Sequence, residues 1–100
     1  MKWKRYDQAV EMIEQRFRFF PQRFQWGGRY YEVDSVEKTW SMLAGRRQKQ
    51  GPRRYFRVRC ASTVFELYQD LIVGTWHVRR AALTTGSVYP VPRMVPVWQE

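Results

Sequence analysis

The sequence predicts a mainly β domain, a small curled antiparallel meander or SH3-like half-open barrel. Gly27-Gly28 sits between two aromatic-bearing runs, the pattern of a two-residue hairpin whose type I′ turn needs positive φ at both central residues. Downstream, Tyr55-Phe56-Arg57-Val58-Arg59-Cys60 and Phe65-Glu66-Leu67-Tyr68 alternate apolar with polar residues, as half-buried strands do. A chain of 100 residues with 44% hydrophobic and 17% aromatic content is long enough for one modest core and lies far from the composition of disordered chains. Residues 1–83 are read as a single domain and 84–100 as an extended tail.

The first element spans about 9 to 18. Val10, Ile13 and Phe17 keep helical spacing behind a capping Asp7, whereas Val10 and Met12 alternate with Glu11; β-favouring Phe17 to Phe20 tips the reading to a strand, stopped by Pro21. In the hairpin that follows, a two-residue loop sets Trp26 opposite Arg29 and Phe24 opposite Tyr31, with Gln25 and Tyr30 on the other face. Val33, Val36, Trp40 and Leu43 then fit either a short helix near 35–44 or a bent strand with a bulge.

Residues 45–54 hold Arg46, Arg47, Lys49, Arg53 and Arg54 among two glycines and a proline, with no acid, and read as a mobile surface loop. For the next two strands, a loop over 61–64 places Cys60 opposite Phe65, Val58 opposite Leu67, Arg59 opposite Glu66 and Arg57 opposite Tyr68. The last strand, Trp76 to Arg79, pairs Val78 with Leu67, which brings His77 beside Tyr68 and Arg79 beside Glu66. Asp70 to Gly74 connects them, and its Leu71, Ile72 and Val73 either tuck under the rim or meet a partner. Pro90, Pro92 and Pro96 keep the tail out of any central strand. The expected core is Phe24, Trp26, Tyr31, Val33, Val36, Trp40, Phe56, Val58, Phe65, Leu67, Trp76 and Val78.

Eighteen Lys and Arg against nine Asp and Glu give a net charge of +9 and a pI near 10.3, which favours polyanionic partners. No apolar run follows the charged N-terminus, so neither a signal peptide nor a membrane span is expected, and the location is cytoplasmic by default. Cys60 and His77 are the only residues of their kinds and fall on opposite faces, too few and too far apart for a nucleophilic dyad or a metal centre. Glu32 and Asp34, at i and i+2 on a charged face, read as solvated acids. No enzymatic chemistry and no cofactor are therefore expected.

The remaining constellation interleaves cations with aromatics: Tyr55, Arg57, Arg59, Tyr68, His77 and Arg79 on one face, with Arg46, Arg47, Lys49, Arg53 and Arg54 in the adjoining loop. Cations displace counterions from phosphates and exposed rings stack on unpaired bases, a composition suited to single-stranded DNA or RNA. Glu66 in the middle of that face offers the competing account of ordinary cross-strand salt links. A protein adaptor using a sheet edge, the 71–73 loop or the tail is the alternative.

The pattern Pro21-x-x-Phe24-x-Trp26-x-Gly28-Arg29-x-Tyr31-x-Val33-x-x-Val36-x-x-x-Trp40, followed by Tyr55-Phe56-Arg57-Val58, Phe65-Glu66-Leu67-Tyr68-x-Asp70 and Trp76-x-Val78-x-Arg80, resembles a family of small uncharacterised bacterial proteins. The resemblance covers about residues 9–80 and implies a short β-rich domain, sometimes associated with error-prone translesion DNA polymerases. It assigns no catalytic residue.

Overall fold

A computed structural model describes residues 2–42 and 51–83. Among the described residues, seven strands form one antiparallel sheet: β1 (Lys4–Arg16), β2 (Phe20–Trp26), β3 (Arg29–Glu32), β4 (Ser35–Met42), β5 (Arg53–Cys60), β6 (Thr63–Asp70) and β7 (Trp76–Leu83), in the order β3-β2-β1-β7-β6-β5-β4. No helix is present among the described residues, so 35–42 takes the bent-strand reading.

The sheet curls because β1 serves two neighbours. Its first half, Lys4 to Val10, pairs with β7, and its second half, Glu11 to Arg16, pairs with β2. Asp7, at φ 51°, is the extra residue where the register slips between Arg5 and Gln8. The two outer strands of this sheet, β3 and β4, are consecutive in sequence. Val33 N donates to Gln22 O (2.9 Å) and Asp34 N donates to Arg59 O (2.8 Å), so the chain steps from one edge to the other within two residues. The result is a half-barrel.

Its inner face holds the core. Phe65 receives the edges of Phe24, Trp26 and Tyr31 at centroid distances of 5.3, 5.9 and 4.9 Å, and Phe56 meets Phe19, Phe20 and Trp76. Eleven of the twelve expected core residues pack there. Trp40 does not. A register shift between Val36 and Lys38 turns every later residue of β4 to the opposite face, and Trp40 lies outside, stacked on Tyr55.

The Gly27-Gly28 turn has φ of 60° and 80°, and its predicted pairs, Phe24 with Tyr31 and Trp26 with Arg29, are present. Pro21 does not end an element; it is the second residue of β2, on the stretch that β3 leaves uncovered. The β5–β6 loop is shorter than expected, residues 61–62 only, which pairs Arg57 with Glu66, Val58 with Phe65 and Cys60 with Thr63. A slip of two residues preserves the faces while changing every partner. Leu67 with Val78 and Tyr68 with His77 are paired as expected, but Glu66 faces Arg80 rather than Arg79.

Candidate nucleic-acid interface

The outer face of β4 to β7 carries two rows of side chains. In the first, Trp40, Tyr55, Tyr68 and His77 are successive cross-strand partners. Trp40 and Tyr55 stack at 5.2 Å with 6° between planes, Tyr55 and Tyr68 lie 5.5 Å apart, and Tyr68 stacks on His77 at 4.7 Å. Cations close over the row: Arg53 lies 4.1 Å above Tyr68, Arg79 5.6 Å from Tyr55 and Lys38 5.1 Å from Trp40. This leaves Tyr55 6% and Tyr68 7% exposed, so neither ring is open to a ligand, and burial pushes the Tyr68 phenol above its ordinary range. Trp40, at the end of the row, stays half-exposed.

The second row is Lys38, Arg57, Glu66 and Arg80. Between Glu66 and Leu67 the register to β7 slips, giving β7 an extra residue, Arg79. This bulge aims consecutive arginines at one carboxylate. Arg57 Nη2 and Nε donate to Glu66 Oε2 (2.7 and 3.1 Å), Arg79 Nη1 to Oε1 (3.0 Å), and Arg80 Nε to Oε1 and Nη2 to Oε2 (2.8 and 3.2 Å). Trp3 lies across the cluster, 4.2 Å from the Arg80 guanidinium and 5.4 Å from that of Arg57.

Glu66 is fully buried. Burial alone raises its pKa, but the hydrogen bonds and charge of Arg80 and Arg57 outweigh that effect and hold the carboxyl below its ordinary value. One carboxylate among three guanidiniums leaves a net +2. The arginine side chains remain about a third exposed, at 31–32%, so N–H groups not committed to Glu66 are accessible to an anion.

Of the other expected site residues, Arg59, His77 and Arg53 stay on the outer face and Arg54 does not. Arg59 is paired with Glu37 at 2.9 Å, and Arg54 points to the inner side, 4.7 Å over Phe19. His77 Nε2 lies 3.0 Å from Thr75 Oγ1. Arg53 Nε is buried without a hydrogen-bond partner among the described residues, its guanidinium stacked on Tyr68. Arg46, Arg47, Lys49 and the 84–100 tail lie outside the described residues. Trp3, Lys38, Trp40 and Arg80 were not among the residues expected on sequence grounds; the adjacency of Arg79 and Arg80 was the available sign of the bulge.

Cys60 is buried in the core, and burial, with Asp34 and Glu32 adding to it, pushes its thiol up to about 12. No helix among the described residues is long and apolar enough to cross a membrane, and no cluster of three metal-ligating side chains forms among them. No curated protein and no solved structure matches the chain. A family model does match, over residues 2–82, and the chain belongs to that family, the domain of unknown function DUF6504.

Proposed function

We propose that this protein is a non-enzymatic module that binds single-stranded DNA or RNA through the outer face of β4 to β7. The observation that carries the reading is the cluster in which Arg57, Arg79 and Arg80 converge on buried Glu66, so that three guanidiniums are pre-oriented while a net positive charge remains. Pre-oriented cations lose little side-chain entropy when they meet phosphates. Lys38 extends the row, and half-exposed Trp3 and Trp40 are the rings with area to offer a base. The resemblance to proteins associated with translesion polymerases agrees with a role near DNA repair.

The test is a titration of labelled single-stranded DNA and RNA at several salt concentrations. Binding should weaken with a log–log slope of about −0.7 per phosphate neutralised. Lys38→Gln, which removes one cation of the row without setting a second acid beside Arg57, should lower both the affinity and the slope. No binding at low salt, or binding indifferent to salt, would sink the proposal.

A second reading, a protein-interaction adaptor, is favoured by the exposure of Ile72 (71%) and Val73 (67%) at the β6–β7 loop. Loss of a captured protein partner on I72S/V73S, with nuclease treatment making no difference, would support it.

A further inference from the structure

The first residues of the chain separate two surfaces. Trp3 lies over the arginine cluster of the outer face, whereas Lys2, Lys4 and Tyr6 turn to the inner side. There they meet the β2–β3 hairpin and the ends of β6 and β7 around an open groove of about 770 Å³. That volume lies within the ~300–1,000 Å³ of ordinary ligand sites.

The floor of the groove is aromatic. Tyr6 meets Trp26 edge-on at 4.6 Å, and Trp26 and Tyr31 rest on Phe65. Trp26 Nε1 donates to Gln8 Oε1 at 2.9 Å, which fixes the indole. Lys2, Lys4 and Arg29, all exposed, form the rim, and among the described residues no carboxylate lines it. Two other grooves differ on this point: one between β2 and β4 carries Asp34 and Glu37, and one beside Arg23 carries Glu14 and Glu32.

We propose that this groove is a nucleotide subsite, seating one unstacked base of a single strand against Tyr6, Trp26 and Tyr31 while Lys4 and Arg29 hold its phosphate. The proposal rests on the nucleic-acid reading and extends it to the inner side: a strand crossing the rim at residues 2–6 meets cations on both sides. An apolar, ring-lined floor with cations and, among the described residues, no acids complements a flat π-system carrying a negative charge, and stacking on it contributes about 1–3 kcal/mol per base.

The full chain is titrated with thymidine monophosphate and with a short oligothymidylate, following the indole N–H resonance of Trp26 by NMR. Both ligands should shift it, and K4E/R29E, at unchanged thermal stability, should abolish the monophosphate response and weaken the oligonucleotide about tenfold. Oligonucleotide binding that leaves Trp26 silent and K4E/R29E unaffected overturns the subsite while the outer-face function stands. A monophosphate response in a protein that binds no oligonucleotide overturns the strand subsite and the outer-face reading alike. Inorganic phosphate producing the same shift, or an acidic tyrosine-containing peptide binding where the monophosphate does not, overturns the base-seating proposal.

Discussion

Glu66 is the residue whose meaning changed most between sequence and structure. As the acid in an alternating strand it read as one rung of a surface ladder; in the fold it is the fully buried anchor of three arginines. Removing one partner of such a cluster strands charge, so Glu66→Ala should destabilise the fold by about 3 kcal/mol in urea denaturation. Because its folded pKa is depressed, the stability Glu66 supplies is complete above its unfolded value of about 4.3 and is lost as pH falls through the folded value. The gap between wild type and Glu66→Gln should therefore narrow as the pH falls below about 4; a gap that widens on acidification would contradict the assignment. Cys60 gives a simpler expectation. Its thiol, pushed up to about 12 and buried, should resist a disulfide reagent at about pH 8 until urea opens the fold, and prompt labelling of the native protein would place it elsewhere.

At the scale of elements, turns and bulges decide more than the strands do. The Gly27-Gly28 hairpin was legible because glycine announces positive φ. Two other turns use left-handed residues that are not glycine. Phe17 and Arg18, at φ 57° and 56°, form the β1–β2 turn, closed by Phe19 N donating to Arg16 O at 3.0 Å. Each left-handed non-glycine residue costs about 1–2 kcal/mol, so Arg18→Gly should raise stability by about 1 kcal/mol, measured as a shift of the urea midpoint; destabilisation would argue against the turn type. Ala61, at φ 55°, is held by its N–H donating to Asp34 Oδ2 at 2.6 Å, a partner 27 positions away. No local pattern reveals such a bond, which is why the 61–62 turn read as a longer loop. Bulges hid in the same way: the slip after Val36 put Trp40 outside, and the slip at Arg79 added Arg80 to the site.

For the molecule as a whole, the half-barrel is held by aromatic contacts between its two walls. Phe24 on β2 stacks on Tyr31 and meets Phe65 on β6 edge-on, so Phe24→Ala should cost about 3–5 kcal/mol, seen in thermal or urea unfolding. A loss under ~1 kcal/mol would mean that the walls are joined by backbone pairing alone. The net charge of +9 belongs to this scale too, but its arrangement does not follow from its size. Pairs such as Arg59 with Glu37 and Arg5 with Asp7 cancel locally, and among the described residues the excess concentrates where Arg57, Arg79 and Arg80 share one acid and where Lys2, Lys4 and Arg29 share none.

The β class, the hairpin register, the inward and outward faces of β5 and β6, and a basic surface were written locally in the chain, in the two-residue alternation of strands and in glycines that mark positive φ. The strand order that sets β1 between β2 and β7, the other cross-strand partners and the covering of the rings emerge only from the folded sheet. Those depend on insertions of a single residue and on contacts between distant segments. The aromatic hairpin shows the division well: its pairing was readable from Phe24 to Tyr31, but only the arrival of Lys2, Lys4 and Tyr6 beside it made Trp26 the floor of a cationic groove.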